Sequence, residues 1–288
     1  MPIAPVVNEW FLANRRDLPW RAPDFGAWGI LVSEIMLQQT PVARVIPRLE
    51  LWLERWPTPA DLAASPPGDA VRAWERLGYP RRALRLHAAA VAITELHGGV
   101  VPSDVDELLA LPGIGDYTAR AVAAFAYGHR HPVVDTNVRR VLARVASGVE
   151  FPAPAVTRAE RDVATALLPD DAATAATWAV ATMELGALVC TARQPSCDAC
   201  PIALLCAWRT AGFPAYDGPP RRGQAWAGTD RQCRGRIMAL ARETDGSVGA
   251  ASIAAAWSVE DQRERCLASL VADGLLTQIT PGRWALPG

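Results

Sequence analysis

Four cysteines fall at Cys190, Cys197, Cys200 and Cys206, a C-x6-C-x2-C-x5-C run. The N-terminal segment has no basic stretch followed by an apolar one, so no secretory leader is read there and a cytosolic protein is expected. In that setting clustered cysteines read as metal ligands rather than disulfides. Four thiolates suit zinc or a [4Fe–4S] cluster, since both are thiophilic. Zinc sites usually pair two C-x2-C knuckles, whereas this run contains one. A full set of four ligands leaves no open position, so the bound group reads as a structural staple with a redox role open. Cys233 and Cys266 lie outside the run, and simple burial accounts for them.

Two carboxyls stand in contrasting settings. Glu34 is the only acid in the apolar stretch Leu31-Val32-Ser33-Glu34-Ile35-Met36-Leu37. Burial there would raise its pKa and keep it protonated, unless it faces solvent on an amphipathic helix. Asp135, in Val133-Val134-Asp135-Thr136-Asn137, sits where an N-cap belongs, and backbone N–H groups would hold it ionised. One neutral and one ionised carboxyl is the pairing that acid catalysis beside a developing cation requires. Between them lies Leu111-Pro112-Gly113-Ile114-Gly115, a tight turn opening a helix whose free N–H groups suit a phosphate. All 29 basic residues are arginine, so no lysine is present to form a Schiff base. Only the N-terminal amine remains as a formal amine nucleophile.

The elements that must position these residues are mostly helical. Apolar residues recur at three- and four-residue spacing over 26–39, 41–56, 81–97 and 117–127. Residues 213–230, rich in Gly, Pro and Arg, read as a linker. Beyond it, helices over 231–242, 250–257 and 260–273 precede two short strands, 275–279 and 283–286, an order similar to a winged helix. The 288-residue chain is long enough for more than one core. No apolar run approaches a membrane span. The net charge is −1, which by itself points to no polyanion. The clusters Arg81, Arg82, Arg85 and Arg139, Arg140, Arg144 read, on charge alone, as solvated helix faces.

Taken together, the residues resemble the MutY-type adenine glycosylases of the endonuclease III superfamily over roughly residues 5–212, in an actinobacterial-like form with a short C-terminal module. The cysteine spacing matches that superfamily's cluster loop, LPGIG followed by Asp116-Tyr117 resembles its helix-hairpin-helix, and Ser33 to Thr40 (SEIMLQQT) resembles the MutY signature. The resemblance implies an all-α, two-lobed glycosylase with a [4Fe–4S] loop on the four cysteines, plus a small C-terminal winged-helix-like α+β module. The implied organisation is a core over 1–212 (one lobe about 24–130, a cluster lobe from 1–23 and 131–212), a linker over 213–230 and a module over 231–288. It also implies a monomer acting on mismatched duplex DNA, with no membrane partner and a place in the cytoplasm at the nucleoid. Glu34 would protonate the adenine, Asp135 would stabilise the sugar cation, and Asn137 would orient Asp135. Tyr117 stands where strand-cutting relatives carry a lysine, which implies base release without strand cutting. In the segment Arg16 to Trp20, which also resembles the family, Leu18 and Trp20 would wall the pocket of the flipped base and Arg16 would contact substrate or DNA. Gln39 and Tyr79 would probe the helix at the lesion, and Gly113 and Gly115 would take a phosphate.

The sequence departs from the family at two places. A pocket position that often carries an acid or amide falls near Val180, with Glu184 one turn away. The larger MutT-like domain that helps detect 8-oxoguanine is replaced by the short module. Two rival readings follow: a mismatch glycosylase releasing thymine or uracil, whose members also carry tyrosine after the hairpin, and a redox-responsive DNA-binding regulator built from the cluster and the winged helix.

Overall fold

The computed structural model describes residues 3–219 and 226–288. Fifteen α-helices follow one another among these residues: α1 (Ile3–Asn14), α2 (Gly26–Leu37), α3 (Val42–Arg55), α4 (Pro59–Ala63), α5 (Pro67–Ala73), α6 (Arg81–Leu96), α7 (Val105–Ala110), α8 (Asp116–Tyr127), α9 (Thr136–Val145), α10 (Arg158–Ala166), α11 (Ala172–Leu188), α12 (Ala207–Thr210), α13 (Asp230–Glu243), α14 (Ala250–Ala256) and α15 (Glu260–Ala272). Three strands, β1 (Ser247–Gly249), β2 (Thr277–Thr280) and β3 (Arg283–Ala285), form an antiparallel sheet of order β1-β3-β2. The fold is the helical one the sequence implies, with a small C-terminal sheet. The chain divides into two compact units.

The first unit comprises residues 1–30, 103–109 and 115–220. Its core forms where α11 packs on α1 and α9. Val7, Phe11, Val141, Val145, Trp178, Ala181 and Leu185 fill that junction, and Cys190, Cys200 and Cys206 pack against its edge. The helix starts are fixed by side chains: Asp135 caps α9, Thr157 makes a capping box with Glu160 on α10, and Asp171 caps α11. The expected linker begins as ordered structure. Phe213 packs edge-on against Trp208 at 4.9 Å, the Trp208 indole donates to the Pro214 carbonyl, and the Tyr216 N–H donates to Glu150. Its middle, residues 220–225, lies outside the described residues.

The second unit comprises residues 31–102, 110–114 and 221–288. Here α6 packs on α4 and α5, over a tryptophan cluster in which Trp52 meets Trp56 at 4.6 Å and Trp74 at 5.6 Å, both edge-on. The C-terminal module has the element order helix–strand–helix–helix–strand–strand. Sequence reading gave its helices and two of its strands. It missed β1, because three residues are too few to show alternation, and β1 exists through pairing with β3. The module is docked within this unit. The Gly68 N–H donates to the Pro287 carbonyl, and the Arg72 guanidinium donates to the carbonyls of Arg242 and Thr244 at the end of α13. Inside the module, Asp230 binds both Arg265 and Gln262, tying α13 to α15.

A cation at the carbonyl end of α13 stabilises those unsatisfied acceptors. Arg72→Ala should therefore cost about 1–2 kcal/mol. The loss should appear as a lower melting temperature and as faster amide exchange in 230–288, with 3–30 unaffected.

Candidate active site

Helix α2 is buried from Trp28 to Met36. Glu34 lies within that stretch and is only 4% exposed. The solvent-face alternative for Glu34 therefore fails: its neighbours Leu31, Val32, Ile35 and Met36 are all buried. The helix ends at Leu37, and the chain then turns through Gln39, whose φ of 55° lies in the left-handed region. Tyr79 has a φ of 48° and an exposed ring. Two non-glycine residues expected at the lesion thus both hold a strained backbone, which persists only where the surroundings over-determine it.

Arg82 supplies that over-determination. Its guanidinium donates to the carbonyls of Ile35, Met36 and Gln38 at 2.8, 3.1 and 2.6 Å, closing the C-terminal end of α2. Its other arm donates to the Thr40 hydroxyl at 3.1 Å and the carbonyls of Leu77 and Gly78 at 3.3 and 3.0 Å. One side chain therefore fixes the loop bearing Gln39 and the loop bearing Tyr79. Burial pulls its pKa down to about 10, with Tyr79 acting the other way. The expectation that this arginine belongs to a solvated face is corrected: Arg82 is buried.

The same correction applies on α9. Arg140 donates to the Cys190 carbonyl at 2.7 Å, the Gly186 carbonyl at 2.6 Å and the Asn137 amide oxygen at 2.9 Å. Arg144 donates to the Thr191 carbonyl at 2.8 Å and to the Cys190 sulfur at 3.3 Å. Arg139 is paired with Glu160. Arg140 and Arg144 face inward because the end of α11 and the chain following it offer them carbonyls, whereas Arg139 meets Glu160 and the carbonyls of Ala153 and Ala155.

Asp135 is capped as its residue type suggests. It accepts from the Val138 N–H at 2.6 Å and from the Asn137 amide at 2.8 Å. Burial nevertheless pushes its carboxyl above the ordinary value, against those two hydrogen bonds and the charge of Arg140. The sequence reading of a carboxylate held comfortably ionised by its cap misses this burial. Asn137 reaches it because Gly186 on α11 has no side chain: a Cβ there would lie 2.7 Å from the Asn137 Cβ. Tyr117, at the start of α8, packs with Phe125 and Met183 on the small cluster of Ala121, Ala124, Val133 and Ala179.

The segment of Arg16, Leu18 and Trp20 is pinned by Glu184. That carboxylate accepts from the Arg16 N–H at 2.9 Å, from the Arg16 guanidinium at 3.0 and 2.6 Å, and from Arg21 at 3.0 Å. Leu18 is buried and Trp20 half-buried. Burial drives the Glu184 carboxyl up, but the hydrogen bonds from Arg16 and Arg21 prevail and bring it down to about 2. Arg16, expected to contact substrate or DNA, is thus engaged with α11, and Val180 packs on the core of the first unit. The role of Glu184 in pinning this segment was barely legible in sequence. Its only signal was an acid in an otherwise apolar helix, the signal that exposed Glu34.

At the hairpin, Gly113 has a φ of 77° and lies against the Arg85 side chain, where an added Cβ would meet Arg85 carbon atoms at 2.5–2.9 Å. Leu111 and Ile114 anchor the turn in the core, leaving Gly113 and Gly115 exposed. Helix α8 starts at Gly115 without a side-chain cap.

Cys190, Cys197, Cys200 and Cys206 line one pocket with Arg144, Val189, Ile202 and Trp208, and none forms a disulfide. Burial pushes the Cys200 thiol up to about 11 and raises Cys197 as well. Among the described residues, no three His, Cys, Asp or Glu side chains close on a point as ligands of a single metal ion. Four thiols around an apolar pocket, with a guanidinium donating to one sulfur, fit a larger thiolate-bound group.

Comparison with known proteins places the chain in a family. Residues 32–165 match the HhH-GPD superfamily of base excision DNA repair proteins. An adenine DNA glycosylase of Mycolicibacterium smegmatis is 54% identical over 290 residues, covering 100% of this chain and 97% of that one. The chain belongs to the adenine DNA glycosylase family. The Mycobacterium tuberculosis relative is also 54% identical, over 97% of this chain and 91% of its own length. The human relative is 41% identical over 69% of this chain but only 38% of its own length. Among solved structures, a thermostable thymine-DNA glycosylase superposes with a TM-score of 0.66 at 26% identity, covering 72% of this chain and 95% of that one. An endonuclease III–DNA complex does so at 0.61 and 22%, and shares the fold.

Two stability outcomes follow. A carboxyl lowered from 4.5 to about 2 contributes stability that is complete above pH 4.5 and disappears as pH falls toward 2. Glu184→Gln should therefore cost about 3 kcal/mol at pH 7, with the gap to the parent closing on acidification, as followed by urea unfolding at pH 7 and pH 3. Arg82→Met would leave a row of buried carbonyls without donors and should cost at least about 3 kcal/mol in the same assay.

Proposed function

We propose that this adenine DNA glycosylase family member releases adenine mispaired with 8-oxoguanine or guanine from duplex DNA, leaves an abasic site, and does not cut the strand. The observation that carries this reading is Glu34, an acid 4% exposed within a buried helix end. An acid enclosed in this way, away from bulk water, is placed to donate a proton to a bound base. Glu34 gives that proton to a ring nitrogen of the flipped adenine. The glycosidic bond breaks with its electron pair going to the base, and the sugar becomes a cation. Asp135 faces that cation. Its burial cost in the resting protein is offset when positive charge develops beside it, so its contribution is realised in the transition state. Asn137 holds Asp135 in place, and Tyr117 supports the sugar where other members carry a lysine. Water adds to the sugar, and the proton it releases restores Glu34.

Leu18 and Trp20 wall the base pocket, with Arg16 fixing their segment through Glu184. Gln39 and Tyr79 probe the duplex, and the exposed turn at Gly113 and Gly115 takes a backbone phosphate. Cys190, Cys197, Cys200 and Cys206 would hold a [4Fe–4S] cluster, which supplies a fixed cross-link for the loop of residues 190–206. The absence of lysine removes the side-chain amine that strand cutting through a Schiff base requires. The N-terminal amine lies outside the described residues.

The second reading, release of thymine or uracil from mispairs with guanine, is favoured by the thymine-DNA glycosylase among the structural neighbours. Single-turnover reactions on duplexes carrying A opposite 8-oxoguanine, A opposite G, T opposite G and U opposite G separate the two. Adenine release with strand breakage only after hot alkali is expected; thymine or uracil release moves the function to the mismatch branch. No release from any duplex favours the regulator. Glu34→Gln should lower the excision rate by about 10²–10⁴-fold while leaving the melting curve and the visible absorbance of the cysteine-bound group in place. An active Glu34→Gln enzyme would remove Glu34 from the acid role.

A further inference from the structure

The ring of Tyr79 is 47% exposed, and its backbone is held in the left-handed region. A side chain that enters a duplex must arrive already oriented, because ordering it on binding subtracts from affinity. Arg82 lies on one side of this ring, 5.5 Å from its centroid. A second guanidinium, that of Arg231, lies 5.9 Å from the same centroid. Arg231 is the second residue of α13 and belongs to the C-terminal module.

The module reaches the same place by a second contact. Asp273, the residue closing α15, accepts from Arg234 at 2.5 Å and pairs with Arg81 at 3.0 Å. Arg81 opens α6, two residues after Tyr79. The loop bearing Tyr79 is thus contacted by α13 through the ring and by the end of α15 through the following helix. Gly274, next in the chain, approaches Leu84 on α6.

We propose that the C-terminal module braces the lesion probe, with Arg231 the positioning residue that holds the Tyr79 ring through a cation–π contact and Asp273 anchoring the module to α6. This rests on the reading of Tyr79 as the residue that enters the duplex. It gives the module a part in distinguishing a damaged purine mispair from intact duplex: it fixes the orientation of the residue that tests the stack and need not touch the damaged base. The surface it serves takes duplex DNA.

The test is a binding cycle. Affinities are measured for a duplex with a 2′-fluorinated adenosine opposite 8-oxoguanine, whose sugar resists cation formation, and for an undamaged duplex at the same salt. The proteins are the parent, Arg231→Ala, Arg231→Lys, Tyr79→Ala and the Arg231→Ala/Tyr79→Ala double variant. An exposed cation–π contact corresponds to about a two- to fivefold effect. Arg231→Ala should reduce the preference for the lesion duplex by that factor, and Arg231→Lys should restore much of it. In the Tyr79→Ala background the Arg231 substitution should have no further effect on preference.

Equal weakening on both duplexes, or the same loss with and without Tyr79, would make Arg231 a phosphate contact and overturn the brace. No change in preference with Arg231→Ala would overturn it as well. The contact itself is read without DNA: with fluorotyrosine incorporated, the ¹⁹F resonance absent from Tyr79→Phe should move in Arg231→Ala, and an unmoved resonance would refute the stack. If Tyr79→Ala leaves lesion preference intact while that resonance does move, the failure belongs to the probe reading, and the brace survives only as a structural contact.

Discussion

A single buried guanidinium decides the geometry of the second unit. Arg82 is satisfied by carbonyls from two separate turns and by one hydroxyl. Carbonyls at the end of a helix are already poor in partners and carry the negative end of its dipole, so they are the natural acceptors for a desolvated cation. The planar fork lets one side chain serve both turns, which a lysine ammonium could not do with the same geometry. The strained residues Gln39 and Tyr79 are held where they are because the turns on either side of them converge on this group.

The first unit repeats the device with different partners. Glu184 gathers the backbone and guanidinium of Arg16 together with Arg21, so a short segment between α1 and α2 is held to α11. Arg140 and Arg144 hold the start of the cysteine loop to α9, and Arg140 also reaches the amide that orients Asp135. Irregular backbone is thereby tied to neighbouring helices by side-chain hydrogen bonds. Arginines meeting carbonyls are the common means, and Arg139 combines two carbonyls with the Glu160 carboxylate.

The parts of this arrangement that sequence showed are those with a local signature. The cysteine spacing, the glycines of the hairpin and the acid isolated in an apolar helix each need one type of residue at one place, so they are visible without knowing what lies opposite. The helices of the C-terminal module were legible from periodicity, whereas β1 depends on a partner strand far along the chain. The inward placing of Arg82 and Arg140 and the partners of Glu184 were illegible for the same reason. Whether a charged residue on a helix faces water or a row of carbonyls is set by packing between distant segments. The raised carboxyl of Asp135 belongs here too: its cap is local and was foreseen, but the burial that outweighs the cap comes from the surrounding fold.

The inward-facing arginines have a consequence for how the protein meets a polyanion. The chain carries 29 arginines against 30 acids, and several of those arginines are engaged with the protein's own carbonyls and carboxylates. With a net charge of −1, the chain as a whole offers little long-range attraction to steer encounter. Association should be slower than for a strongly basic binder, and less sensitive to ionic strength in proportion as fewer phosphates are neutralised.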